Sequence, residues 1–250
     1  MPDQSVLEDF LTGAGVDEAV FALRPDYRAL LLAVDGIEPG PSDQASEDLL
    51  QAAEESARAA TEVTAVEELP HVAAWRAAYR SFGAKPQRTR TSVEALLRRA
   101  VGPGLPRVNR LTDLYNAVSV LHQLPLGGED LTCYAGSPRL IRATGEKPFD
   151  TTADGSPVVE HPPAGEVVWC DEAGVTCRRW NWRQARRTQL SDHTTTAVFI
   201  LDALQPMTDQ QLHAAADDLV QHLTRLGPHI TVARRLIDHS TTDSSTEQGH

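Results

Sequence analysis

Cys177-Arg178-Arg179-Trp180-Asn181-Trp182-Arg183-Gln184 gathers two of the chain's four tryptophans and three guanidinium groups into eight residues of a 250-residue protein with net charge −12. The stretch follows Val167-Val168-Trp169-Cys170, a turn at Asp171–Gly174, and Val175-Thr176-Cys177, a spacing that predicts a hairpin. It therefore reads as the continuation of the hairpin's second strand. As extended backbone it puts Arg178, Trp180, Trp182 and Gln184 on one side and Arg179, Asn181 and Arg183 on the other. Neither side is a plain core face. Planar cations among indoles suit a phosphate, a carboxylate or a base ring. They suit equally a structural cluster in which guanidinium groups lie over indoles at a sheet rim.

Outward from this point the chain alternates strands and helices. Arg28 to Ile37 carries the continuous apolar run Leu30-Leu31-Leu32-Ala33-Val34, which predicts a strand buried on both faces. Ser42 to Arg58 is an Ala/Glu-rich helix, and a second helix runs through His71, Trp75 and Tyr79, with His71 expected at the surface. Thr91-x-x-Glu94 and Thr208-x-x-Gln211 are capping boxes, each opening an amphipathic helix that a Gly-Pro pair ends. Between them Asn109-Arg110 starts a helix with Leu111, Leu114, Val118 and Leu121 on one side and Asp113, Asn116 and Gln123 on the other. Those polar groups either face water or meet partners in a second layer. Gly127-Gly128 marks a tight turn or a close backbone approach. Leu140 to Ala143 and Ala197 to Ala203 read as strands, Asp150 to Pro163 as loop, and Ile230 to Ile237 as a last strand. The last helix and its flanking strands form a strand-helix-strand unit, right-handed if the strands are parallel. The expected architecture is α+β, a single compact unit over 1–238 with a mixed sheet flanked by helices. Its core spans 70–205 with 1–69 packed on it, and 239–250 is a disordered Ser/Thr-rich tail.

An apolar fraction of 41% and a charged fraction of 23% belong to a globular protein. No apolar run approaches the ~20 residues of a membrane span. The start, Met1-Pro2-Asp3-Gln4, lacks the basic region of a signal peptide, and three cysteines form no C-x-x-C pair, so a cytoplasmic location is expected, with Cys170 and Cys177, which flank the hairpin, as buried thiols. Charge is unevenly distributed: residues 1–70 hold sixteen Asp/Glu against three Lys/Arg, while 76–110 hold nine Lys/Arg against Glu94 alone. A second basic island, Arg178 to Arg187, holds five arginines and no acid. Such islands are either local anion sites or partners of the acidic N-terminal third. Phosphate-loop, dinucleotide, zinc-protease and nucleophile-elbow signatures are absent, the histidines lack metal-ligand spacing, and neither a metal nor a cofactor is expected. His193 beside three threonines is a base or, more simply, a solvated loop residue.

A resemblance covers Trp75 to Leu204. It rests on Phe82-Gly83-Ala84-Lys85-Pro86, Ser92 to Arg99, Leu105 to Arg110, Asp113-Leu114-Tyr115-Asn116, Pro125 to Asp130, the Cys177–Gln184 run and Phe199 to Ala203. Here the chain resembles the tRNA-binding and editing (B-three/B-four) module of the phenylalanyl-tRNA synthetase beta chain, in freestanding form. That module hydrolyses the ester of tyrosine wrongly joined to phenylalanine tRNA. The resemblance implies an aminoacyl-tRNA deacylase that acts in trans through a positioned water, or alternatively a non-catalytic module binding tRNA or an amino acid. A third reading, action on a small amino-acid derivative without tRNA, is suggested by the net charge of −12. The partner implied is the aminoacylated 3′ end of tRNA. Asn109, Asn116, Asp130, Thr194 and Thr196 are expected to line an amino-acid pocket. Arg110, Arg178, Arg179, Trp180, Trp182 and Arg183 are expected to meet the tRNA, and no catalytic residue is assigned. One departure matters: the synthetase's Pro-Leu-His-Ala-Phe-Asp is here Pro125-Leu126-Gly127-Gly128-Glu129-Asp130, so tyrosine specificity does not carry over.

Overall fold

The computed structural model describes residues 4–243. In chain order the elements are α1 (Gln4–Thr12), β1 (Gly15–Val16), α2 (Glu18–Phe21), β2 (Arg28–Asp35), α3 (Gln44–Ala60), α4 (Pro70–Ser81), α5 (Ser92–Ala100) and α6 (Arg110–Leu121). There follow β3 (Leu126–Asp130), β4 (Arg139–Arg142), β5 (Phe149–Ala153), β6 (Ser156–Glu160), β7 (Val167–Cys170), β8 (Val175–Arg178), β9 (Arg183–Gln184), β10 (Thr196–Ala203), α7 (Asp209–Leu223), β11 (Thr231–Ile237) and α8 (His239–Asp243). The class is α+β, as the sequence leads one to expect. The strands divide between a four-stranded antiparallel sheet in the order β11-β2-β10-β3, a five-stranded sheet β1-β4-β7-β8-β9 that is parallel only at β1-β4, and the ribbon β5-β6.

Hydrophobic layering explains the arrangement. Both faces of β2 and β10 are buried, which is why neither strand alternates in polarity. On one face Leu30, Leu32, Phe199 and Leu201 pack against α6 and α7. On the other, Leu31, Ala33, Val198 and Ile200 meet Trp169, Cys177 and Trp180 of the second sheet and its connecting turn. A third cluster joins α3, α4, α5 and α6, and a fourth places Phe149 of the ribbon against Val168, Cys170 and Val175. The N-terminal segment enters both sheets, because β2 is central in one and β1 edges the other. Both β10 and β11 run antiparallel to β2, so the strands around α7 are parallel to each other with β2 between them.

Three local expectations are corrected. Asp150–Pro163 is not plain loop: β5 and β6 pair across a turn in which Asp154 (φ 48°) and Gly155 (φ 78°) are both left-handed. An Asp-Gly pair is the hairpin signal that the Thr- and Pro-rich composition masked. Gly127 and Gly128 lie within β3 rather than in a turn, because a Cβ on Gly128 would stand 2.8 Å from the Phe199 ring and 2.9 Å from Leu190. His239–Asp243 is helical rather than disordered, with the His239 ring 5.2 Å from that of Phe21. The remainder of the expected tail, 244–250, and residues 1–3 lie outside the described residues.

His71 is likewise buried rather than at the surface. Its Nδ1 meets the Gln123 carbonyl at 2.9 Å, and its Nε2 accepts from the Trp75 indole and the Leu204 amide, each at 3.1 Å. With two donors on Nε2, the ring is the neutral Nδ1–H tautomer. Burial above all, aided by the charges of Arg28 and Arg24, lowers its pKa from 6.5 to about 4. The unfolded chain therefore binds more protons between those values, and stability falls as pH drops through the window, by about 3 kcal/mol in total. Denaturant unfolding of the wild type and His71→Gln checks this: the stability advantage of the wild type is expected to be about 3 kcal/mol larger at pH 7 than at pH 4.

Candidate functional site

The strand β8 stops at Arg178 because Arg179 (φ 47°) and Trp180 (φ 68°) are both left-handed. Such a conformation is unfavourable for a bulky residue and persists only where the surroundings hold it. Three contacts do so. The Trp180 amide donates to Val167 O at 2.7 Å, and its ring meets Tyr27 at 5.0 Å and Trp75 at 5.3 Å, edge to face. The chain reverses over Arg179–Trp182 and returns as β9, pairing Arg178 with Arg183 and Cys177 with Gln184. The extended reading of Cys177–Gln184 is thereby corrected.

The reversal separates the arginines. Arg178 is buried, with Nε and Nη2 on Glu166 at 2.8 and 2.9 Å and Nη1 on Glu160 at 2.5 Å. Arg179 bonds the Thr89 hydroxyl, reaches Glu166 at 3.4 Å and covers the Trp182 ring at 4.4 Å. Arg183 is exposed and donates only to Thr152 O, at 2.9 Å. Asn181 ties the turn down: it accepts from Tyr79 at 3.0 Å, donates to Asp202 at 3.2 Å, and its carbonyl receives the Ser92 amide at 3.0 Å.

Beneath the turn, between the two sheets, lies a cavity of about 240 Å³. Ser92, Ala95 and Leu96 of α5 and Tyr115 and Asn116 of α6 form one wall. Gly127 and Glu129 of β3, Ile200 and Asp202 of β10, and Trp169, Cys177 and Trp180 form the interior, while Trp182, Arg183 and Gln184 complete the lining. Gly127 has backbone where a side chain would stand, since a Cβ there would meet Gln184 Nε2 at 3.1 Å. A second, polar hollow shares Trp182, Arg183 and Gln184 and adds Thr151, Thr152, Arg186 and Gln189, so the two are contiguous.

Two buried carboxyls give the cavity its electrostatic character. Asp202 accepts from Tyr27 Oη at 2.5 Å and from Asn181, and Glu129 accepts from Tyr134 Oη. Burial raises each pKa to about 7, against the opposing pull of Tyr27, Asn181 and Trp169 on Asp202 and of Tyr134, Thr188 and Thr176 on Glu129. Burial likewise pushes the Cys177 thiol well above its ordinary range, so it is not a ready nucleophile. The buried indole nitrogens of Trp169 and Trp180 make no hydrogen bond of ordinary geometry among the described residues.

Of Asn109, Asn116, Asp130, Thr194 and Thr196, Asn116 lines the cavity. Asn109 instead caps α6, accepting from the Thr112 amide at 2.8 Å. Asp130 accepts from Thr194 at 2.7 Å and from the Thr132 amide at 3.0 Å, and Thr196 donates to Asp35 at 2.5 Å, so all three serve turns and sheet edges away from the cavity. Period two explains the miss on β3: Glu129, not Asp130, shares Gly127's face. Of the tRNA-facing set, Trp182 and Arg183 stand beside the cavity, Trp180 is fully buried beneath it, and Arg178 and Arg179 are held by carboxylates. Arg110 lies elsewhere, donating to Glu38 O and to Pro39 O at 3.2 Å. His193 is exposed and not among the lining residues.

Glu129, Asp202, Asn181, Ser92 and Tyr115 also line the cavity and were not among the residues expected there. Only Asp202, an acid closing an apolar strand, carries a visible signal in the sequence. The basic islands resolve into both roles. Arg98 meets Glu67 at 2.6 Å, and Arg107 meets Glu47 and Glu54 at 2.7 Å each, so part of the first island does pair with the acidic N-terminal third. Arg80 at the end of α4 and Lys85 and Arg88 on the link from α4 to Ser92 are exposed without ion pairs among the described residues. Among the described residues no cluster could hold a metal ion, and no helix is long and apolar enough to cross a membrane.

A family model described as the B3/4 domain matches residues 74–227. Among solved structures the chain is similar to an N-terminal fragment of the phenylalanyl-tRNA synthetase beta subunit from Pyrococcus horikoshii, at 12% identity and a TM-score of 0.45. That alignment covers 88% of this chain and 49% of the other, so the chain spans about half of that fragment. No curated protein matches it.

Proposed function

As the chain belongs to the B3/4 domain family, we propose that it hydrolyses the ester of a mischarged aminoacyl-tRNA in the cytoplasm, acting in trans through a positioned water. The observation that carries this reading is the cavity between the sheets, which combines aromatic walls, unspent polar groups and, in Arg183, a guanidinium that makes no ion pair among the described residues. At about 240 Å³ it is smaller than the ~300–1,000 Å³ usual for drug-sized ligands and suits a single aminoacyl group. The unpaired Arg80, Lys85 and Arg88 and the adjoining hollow with Arg186 supply positive charge for a phosphate backbone near that cavity. The resemblance of Asp113–Asn116 and Cys177–Gln184 to the editing module points the same way.

In this mechanism the aminoacyl group enters the cavity, and its ester carbonyl stays at the Trp182–Gln184 rim. Gln184, whose Nε2 donates to Gly128 O at 3.0 Å, holds the water through its Oε1, assisted by the free ribose hydroxyl of the substrate. Arg183 faces the oxygen on which negative charge develops, a role in which one donor is worth on the order of 10²–10³ in rate. Incubating the protein with a panel of correctly charged and mischarged tRNAs tests the reading, with selective release of one amino acid expected. Arg183→Ala is expected to slow that release by about 10²-fold while leaving the unfolding midpoint unchanged, because the side chain is exposed and bonds only one carbonyl.

One observation favours a second reading, a module that binds the aminoacyl end without turnover. The cavity lining holds no histidine among the described residues, and its one thiol has a raised pKa. Saturable tRNA binding with no ester cleavage across the panel would select it.

A further inference from the structure

Resting on that reading of the cavity as an aminoacyl pocket, we propose that it selects an amino acid whose side chain ends in a cation, taken up between Asp202 and Glu129. Several buried acids in this protein are answered by arginine, while Asp113 and Asp35, which do not line the cavity, are held by hydroxyl and backbone amide donors. Glu94 lies on Arg76 at 2.7 Å, Glu166 on Arg178 at 2.8 Å and Asp171 on Arg187 at 2.8 Å. Asp202 and Glu129 line the cavity, are 3% and 2% exposed, and make no ion pair among the described residues. They are held by neutral hydroxyl, amide and indole groups, and Arg187, whose charge also acts on Glu129, is committed to Asp171. A buried carboxyl without a countercharge is costly unless something else brings one.

Two independent features point to the same ligand. Asn116 is 7% exposed, lines the cavity and has no side-chain hydrogen-bond partner among the described residues, so its carbonyl oxygen is open to a donor. Tyr115, Trp169 and Trp180 supply aromatic surface, which attracts an ammonium or guanidinium group. Geometry assigns the cation to the side chain rather than to the α-amino group. The α-nitrogen is two bonds from the ester carbon and stays with it at the rim beside Arg183. Only the side chain extends inward to carboxyls as buried as these. Burial holds both acids near pKa 7 in the empty cavity, and an entering cation favours their ionised forms, so uptake releases protons.

Calorimetric titration of the full chain at pH 8 with the methyl esters of lysine, arginine and norleucine tests this. The expected result is at least tenfold tighter binding of a cationic ester than of the norleucine ester, whose side chain has similar length and no charge. Asp202→Asn combined with Glu129→Gln keeps acceptors for Tyr27 and Tyr134 and is expected to abolish the preference. Equal binding, preference for norleucine, or no binding by any ester overturns the inference. The two proposals fail separately. Hydrolysis of tRNA esters of neutral amino acids, without cationic preference, keeps the deacylase and removes the selectivity; cationic preference without turnover does the reverse.

Discussion

Trp180→Ala is expected to lose about 3–5 kcal/mol of stability, the range for removing a fully buried large aromatic side chain. Trp180 is 0% exposed and sits where α4, β2 and the hairpin turn meet, against Trp75, Tyr27 and Phe82. Alanine would remove the packing that compensates for a left-handed backbone at φ 68° while keeping a Cβ that disfavours it. For a chain of this length such a loss lowers the melting temperature by roughly 6–20 °C. Trp180→Phe retains much of the packed ring and should fall well inside that loss. The indole also lines the cavity, so the alanine variant should lose ester binding even at temperatures where it remains folded. Thermal unfolding followed by circular dichroism, with binding measured below the transition, separates the two effects. A midpoint shift under 2 °C would show that the ring does not support the turn.

Glu166→Ala is expected to cost about 3–5 kcal/mol, because it leaves the buried Arg178 guanidinium without its two-point partner. Glu160 still reaches Nη1, but it is more exposed and answers one nitrogen only. Desolvation of the stranded charge, rather than the worth of the pair itself, sets this figure. The double replacement Arg178→Met with Glu166→Leu removes both charges and should therefore be much less damaging than the single one. Urea unfolding of the three proteins decides it. A double variant as unstable as Glu166→Ala would mean that shape, not charge burial, makes the pair necessary. Because Arg179 also leans on Glu166, the single variant should loosen the Arg179–Trp182 stack at the cavity rim as well.

These two residues mark where the sequence is legible and where it is not. Elements that follow from local chemistry were recoverable: Thr208 and Gln211 form the full reciprocal cap, and the apolar run of β2 is buried on both faces. At α5 half of the expected box exists: Thr91 accepts from the Glu94 amide at 3.2 Å, but the Glu94 carboxylate turns to Arg76 and Arg98. A tertiary ion pair there takes the carboxylate that a local cap would use. In Cys177–Gln184 the concentration of Arg and Trp falls on a stretch that lines the cavity, while the assumption of extended backbone assigned the faces wrongly. Two successive left-handed residues are not signalled by Arg-Trp, since Gly and Asn are the usual occupants of that conformation.

The sequence by itself determined the α+β class, the helix starts, the doubly buried central strand and the region in which the candidate site lies, because these depend on spacing and propensity over a few residues. Tertiary structure alone decided which side chains face the cavity. Asp202 and Glu129 become pocket groups only through the register of β10 against β3 and the packing of one sheet on the other. Arg178 becomes structural only because the chain brings Glu166 to it, whereas among the described residues no carboxylate pairs with Arg183. Charge and aromaticity are properties of residues, whereas being spent or available is a property of the neighbours the fold provides.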